Sequence, residues 1–218
     1  MSFLKKFIDA GEILETFNSP INGKIDVFRS LSGRISLKCG GVVQSGGLAE
    51  KLWQKGVKEI SKFTLKKEIK SCLILGLGAG TLVKLLSKEF KQCKVIGIEI
   101  DPLVIKAGEK YFELKKSRDL KIINSDAFEA LKEMKEKFDL IVVDLYKGQE
   151  FPYKAENVTF FRILSNLLCD QGVVAFNRLN YNPRHKVKTQ AFKKKVERSF
   201  KRSKTASVVT NLLLLASN

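Results

Sequence analysis

The chain has 218 residues, 44% of them hydrophobic, enough for one α/β-sized core and a small extension. No apolar run approaches the ~20 residues a membrane helix needs, and the opening Met1-Ser2-Phe3-Leu4-Lys5-Lys6 lacks the apolar stretch of a secretory signal. Cys39, Cys72, Cys93 and Cys169 show no CxxC spacing and His185 is the sole histidine, which counts against a disulfide frame, a metal centre or a Ser-His-Asp triad. A soluble cytoplasmic protein is expected. The net charge of +17 is unevenly spread: residues 181–218 carry ten basic side chains and one acidic, whereas residues 71–180 are nearly balanced. A basic end of this kind suits polyanions, nucleic acid included; the plainer reading is a solvated outer face.

Residues 1–20 suggest a short helix ending before Asn18-Ser19-Pro20. Lys24–Arg29 and Arg34–Lys38 then alternate apolar and polar residues around Ser32-Gly33, the pattern of a β-hairpin. Gly40-Gly41 and Gly46-Gly47 bracket Val42-Val43-Gln44, a loop or bulged strand. Leu48 to Lys70 has helical spacing. From Ser71 the period changes to short, continuously apolar runs at 71–75, 94–99, 120–123, 138–143 and 172–176, each suited to a strand buried on both faces. Helical stretches at 81–90, 102–111, 127–137 and 157–168 separate them. Alternating strand and helix predicts a parallel, doubly wound sheet. A basic helix over 186–201 follows. Ala206–Val209 and Asn211–Ala216 have no helix between them, so they are antiparallel. A parallel sheet closed by an antiparallel hairpin is a methyltransferase-type arrangement. The reading is an α/β, Rossmann-like doubly wound domain of the class I methyltransferase type over residues 48–218, preceded by a small N-terminal β-hairpin extension over residues 1–47.

Chemistry-bearing residues gather at the strand ends. Gly76-Leu77-Gly78-Ala79-Gly80-Thr81 follows the first buried strand and opens a helix, where glycines bring backbone N–H groups close to a ligand. Glu99 ends the second strand, where a carboxylate can accept both hydroxyls of a ribose. Asp126 ends the third and can accept from an adenine amine. Asp144 ends the fourth. Singly, each has a plain reading: Glu99 and Asp101 as caps of the helix at Pro102, Asp126 as a cap of the next, Asp144 as a loop acid. Together they predict an adenosyl sulfonium site at the carboxyl ends of the strands.

These residues resemble those of the spermidine synthase family, the polyamine aminopropyltransferases, from about Ile25 to Ala216. Leu37-Lys38-Cys39-Gly40-Gly41-Val42-Val43-Gln44 is similar to the family's LDGVxQ segment, Ile98-Glu99-Ile100-Asp101 to its EID motif, and Asp126 to its adenine-binding acid. The resemblance implies that Gln44 contacts the cofactor, with Gly76, Gly78, Gly80, Glu99 and Asp126, and that Asp144, the first acid of the DxxD motif, is catalytic. It also implies S-adenosylmethionine or its decarboxylated form as cofactor, and a homodimer joined through the N-terminal hairpin. Three positions depart from the family pattern. The acid of GGGDG is Ala79, the second acid of DxxD is Lys147, and the family tyrosine is Trp53. A polycationic acceptor needs carboxylates, so lysine there is repulsive.

The three departures fit a cofactor fold that has lost standard aminopropyl transfer, so of three functions methyl transfer is the main expectation and the other two are alternatives. The first is an S-adenosylmethionine-dependent methyltransferase with Asp144 as base and Trp53 and Tyr146 lining the acceptor pocket. The second is aminopropyl transfer from decarboxylated S-adenosylmethionine. The third is a non-catalytic module whose basic end, Lys193–Lys195 included, grips nucleic acid.

Overall fold

The computed structural model describes residues 11–65, 68–117 and 119–218. It opens with a four-stranded antiparallel sheet: β1 (Gly11–Ser19), β2 (Gly23–Ser30), β3 (Ile35–Cys39) and β4 (Val42–Gly46), paired in that order. The expected hairpin is the β2–β3 pair, with Val27 opposite Leu37. The helix expected before Asn18 is corrected to a strand over Gly11–Ser19, and the rest of that stretch lies outside the described residues. A register shift between Ile13 and Glu15 breaks the two-residue alternation that would have marked β1.

Helix α1 (Gly47–Phe63) leads into the second sheet, ending short of the expected Lys70. There follow β5 (Ser71–Leu75), α2 (Thr81–Glu89), β6 (Lys94–Glu99), α3 (Pro102–Tyr111), β7 (Leu120–Asn124), α4 (Ala127–Glu133), β8 (Phe138–Val143), α5 (Val158–Leu167) and β9 (Leu168–Leu179). Helix α6 (Pro183–Ser199), β10 (Arg202–Val208) and β11 (Asn211–Ser217) complete the chain. The strand order is β10-β11-β9-β8-β5-β6-β7. Strands β5 to β9 are parallel, and β11 runs antiparallel to both β9 and β10. The chain leaves β5 toward β6 and β7, then returns to place β8 on the other flank. That reversal opens a crevice at the carboxyl ends of β5 and β8, where open α/β sheets hold ligands.

Each central strand buries both faces. Cys72, Ile74, Leu140, Val142, Val173 and Ala175 pack under α1 and α2, against Trp53, Val57, Ile60 and Leu86. Leu73, Leu75, Ile141, Val143, Val174 and Phe176 pack under α4 to α6, against Leu131, Phe161, Leu164 and Phe192. This two-sided demand explains the continuous apolar runs. The rings of Phe161, Phe176 and Phe192 meet edge-on with centroids 5.3–5.6 Å apart. Each such pair adds about 0.5–1.5 kcal/mol beyond its buried area, so α5 and α6 are braced against β9.

The basic helix α6 buries His185, Thr189, Phe192 and Val196 along one stripe and turns its lysines outward. Several are in ion pairs: Lys188 with Glu150, Lys193 with Glu197 and Lys195 with Glu156. No helix among the described residues is long and apolar enough to cross a membrane.

The N-terminal sheet lies on α3 and the glycine loop through Phe17, Ile25, Val27, Leu37, Ala79, Val104 and Ala107. Fully buried Asp101 ties the two layers together. Its Oδ2 accepts from Ser19 Oγ and from Asn22 Nδ2 (2.7 Å), while Oδ1 accepts the Leu103 N–H (2.9 Å) as the N-cap of α3.

Candidate active site

The loop after β5 depends on glycine. Gly76 has φ +89°, and a Cβ there would lie 2.3 Å from the Asp144 carbonyl oxygen. Only glycine permits this left-handed bend with β8 so close. Gly76 and Leu77 both donate their N–H to the Ile98 carbonyl (3.0 and 2.9 Å), which fixes the loop to β6. Strand β4 then clasps the loop from above. Ser45 Oγ accepts the Ala79 N–H (2.9 Å), and Thr81 Oγ1 accepts the Gly46 N–H (2.9 Å). These contacts place Gln44 over Gly78.

Glu99 is buried at the end of β6. Its Oε2 accepts the Gly78 N–H (2.8 Å) and its Oε1 the Asp101 N–H (3.1 Å). Burial raises its pKa while the backbone donors oppose the rise. Each oxygen keeps a lone-pair direction for a hydroxyl donor.

Asp144 follows β8. Trp53 Nε1–H donates to its Oδ2 (3.1 Å) and Asn177 Nδ2 to its Oδ1 (2.7 Å). Asn177 is held in turn by Asn211 Nδ2, which donates to its Oδ1 (2.8 Å). Burial pushes the Asp144 carboxyl up to about 6, against the lowering effect of its two donors. An acid so placed can accept a proton at neutral pH, as a general base must. Tyr146 donates from its hydroxyl to the Asn177 carbonyl (3.1 Å) and accepts the Leu179 N–H (2.9 Å). Its burial raises the phenol pKa, so it stays protonated.

One cavity of about 100 Å³ is lined by Gln44, Trp53, Gly76, Gly78, Glu99, Asp144 and Tyr146, seven of the expected residues. Gly80 and Asp126 are placed elsewhere. Gly80 is the left-handed residue before α2 and faces Leu114. Asp126 caps α4, its Oδ1 accepting the Phe128 N–H (2.7 Å). Asn22 and Ser45 also line the cavity and were missed, because both reach it from the N-terminal sheet. Asn177 and Asn211, which orient Asp144, had no local signal either. Ala79 is fully buried under β4, away from the cavity. Lys147 sits in a tight turn with Glu150, each N–H donating to the other's carbonyl at 3.1 Å, and its side chain is exposed. Cys39 lines the cavity, but burial pushes its thiol up to about 12, which leaves it unreactive.

The chain is similar to several known proteins. The chain is 29% identical over 108 residues to a polyamine aminopropyltransferase of Vibrio vulnificus, covering 48% of this chain and 36% of that protein. It is 28% identical over 113 residues to a probable polyamine aminopropyl transferase of Bifidobacterium longum, covering 52% of this chain and 25% of that one. The matched region thus spans about a third or less of these curated relatives. Among solved structures, a spermidine synthase in complex with the transition-state analogue AdoDATO superposes with a TM-score of 0.77 at 19% identity, covering 94% of this chain and 73% of that one. Human methyltransferase-like protein 13 in complex with SAH superposes with a TM-score of 0.59 at 17% identity, covering 78% and 82%. Both show the Rossmann-like fold of the class I methyltransferase type. The pattern of the spermine/spermidine synthase domain matches residues 50–214, three quarters of the chain, and the protein belongs to that family.

Proposed function

We propose that this protein is an alkyl transferase that moves an aminopropyl group from decarboxylated S-adenosylmethionine to a nucleophilic acceptor. The observation that carries the reading is the cavity joining Gln44, Gly78 and Glu99 to the half-buried acid Asp144. The family membership favours aminopropyl transfer over the methyl transfer that the altered residues suggested. The relatives named polyamine aminopropyltransferases, and the spermidine synthase with its bound analogue, support the same choice.

The chemistry follows from the positions. Glu99 receives the ribose hydroxyls, and the bare glycine backbone at Gly76 and Gly78 lets the nucleoside approach the loop closely. The acceptor's lone pair attacks the propyl carbon next to the sulfonium. The C–S bonding pair passes to sulfur, leaving neutral methylthioadenosine. Asp144 takes the proton that the acceptor nitrogen must lose, and its two fixed donors aim the remaining lone pairs at that nitrogen. Ala79 supplies no carboxylate for the cofactor amine. Asn22 Oδ1 and Gln44 Oε1 are the oxygens in the cavity that can receive it.

The test is incubation with decarboxylated S-adenosylmethionine and a panel of amines, with methylthioadenosine followed by mass spectrometry. Its release, faster as pH rises through about 6, is the expected result. Transfer from S-adenosylmethionine alone, yielding S-adenosylhomocysteine, would restore methyl transfer.

A further inference from the structure

Tyr146 also lines a second cavity, of about 320 Å³, beneath the segment from Gln149 to Glu156. Its wall holds Arg178, near the end of β9 and 3% exposed. The guanidinium is fixed from several directions. Its Nη2 donates to Glu156 Oε1 at 2.8 Å, and its Cζ lies 4.0 and 4.4 Å from the ring centroids of Phe151 and Phe192. Its Nη1 has no hydrogen-bond partner among the described residues. The neighbouring His185, 8% exposed, meets Tyr181 edge-on at 4.7 Å, and its Nδ1 likewise has no partner.

The surrounding charge is unequal. Glu156 is shared by Arg178 and Lys195, and Glu150 by Arg184 and Lys188. The cavity wall itself holds Arg178 and Lys188 with Glu156 and Glu150, and each carboxylate is paired a second time from outside the wall, by Lys195 and Arg184. A buried donor without an acceptor costs about 1–3 kcal/mol, and a desolvated guanidinium whose Nη2 is held by Glu156 favours an anionic oxygen at Nη1. An ammonium group would have to compete here for carboxylates that each already hold two cations.

We propose that this cavity is an oxyanion subsite, in which Arg178 Nη1–H and His185 Nδ1–H bind a carboxylate or phosphate group of the acceptor substrate. The acceptor role rests on the transferase reading above. The acceptor is then an amine that also bears an anionic group, held by that group while its nitrogen is presented past Tyr146 to Asp144. Such a substrate also accounts for Lys147 in place of a family acid, since no second cationic end needs neutralising.

His185 is the sole histidine, so its imidazole signals report on the site without overlap. The full chain, labelled with ¹⁵N-histidine, is titrated with acetate and with inorganic phosphate, against chloride at equal ionic strength. The expected result is a saturable shift of the His185 resonances at about millimolar oxyanion, with the tighter of the two probes identifying the group. The affinity should fall about tenfold in Arg178→Lys, which keeps the charge and loses the fork. If that variant does not fold, His185→Gln followed by calorimetry with the tighter probe replaces it, with the same fall expected. No saturable shift with either oxyanion, or equal binding by the variant, overturns the subsite. Methylthioadenosine is titrated into the same sample. Its binding without an oxyanion response overturns the subsite alone. An oxyanion response without methylthioadenosine binding supports the subsite and overturns the transferase reading.

Discussion

The raised pKa of the Asp144 carboxyl should leave a thermodynamic signature that does not depend on finding the substrate. Asp144 has an ordinary carboxyl value of 3.8 that burial lifts to about 6 in the folded protein. The folded state therefore holds this proton more tightly than the unfolded state does. Below the lower value both states are protonated, and the group's contribution does not change with pH. Between the two values the unfolded chain ionises while the folded chain does not, so stability falls as pH rises. Above about 6 both are ionised and the loss is complete. Two pH units at 1.36 kcal/mol each give a loss of about 3 kcal/mol. The perturbation is Asp144→Asn, which keeps the shape and removes the titration. The assay is urea unfolding of both proteins at half-unit steps from pH 4 to 8. The wild-type stability minus that of the variant should drop by about 2 kcal/mol between pH 4 and 6, the part of the loss that falls in this window, and level off above about pH 7. A difference constant to about 0.5 kcal/mol would refute the argument, because Asp144 would then be no more desolvated than in the unfolded chain.

Three further outcomes are expected. Gly76→Ala puts a Cβ 2.3 Å from the Asp144 carbonyl at φ +89°; it should cost about 2–4 kcal/mol in urea unfolding and nearly abolish turnover. Asp101→Ala leaves the Ser19, Asn22 and Leu103 donors without their acceptor; a loss of about 2–4 kcal/mol should appear, with weaker binding of methylthioadenosine because Asn22 is released. Glu99→Gln should weaken methylthioadenosine at least about tenfold by calorimetry, and an unchanged affinity would place the ribose elsewhere.

Much of this was legible because the relevant signals are local. The apolar runs from 71 to 176 mark strands buried on both sides, and the acids that end them fall at the crevice by topology alone. Gly76 and Gly78 declare their bend in the sequence. Other features depend on partners far along the chain. Strand β1 was read as a helix because the bulge between Ile13 and Glu15 removes the two-residue period. Ser45 and Thr81 are ordinary residues until β4 folds over the glycine loop. Asn177 gains its role only when β8, β9 and β11 lie side by side, 33 residues from Asp144 in one direction and 34 from Asn211 in the other. Asp126 shows the opposite difficulty: its cap and its adenine-acceptor reading share one local pattern, and the cap is the contact observed.

The position of β11 has a consequence for how the protein becomes active. This strand enters between β9 and β10 and brings Asn211 to Asn177, which orients Asp144. The base is therefore aimed by the strand that comes last in chain order. A nascent chain that has formed β5 to β9 has the crevice and its acid but lacks the anchor that sets the acid's direction. Strand β10 pairs with β11 alone, so β11 joins the sheet by docking on the free edge of β9. The direction of the acid is accordingly not set until β11 has docked on β9, however complete the crevice is before then.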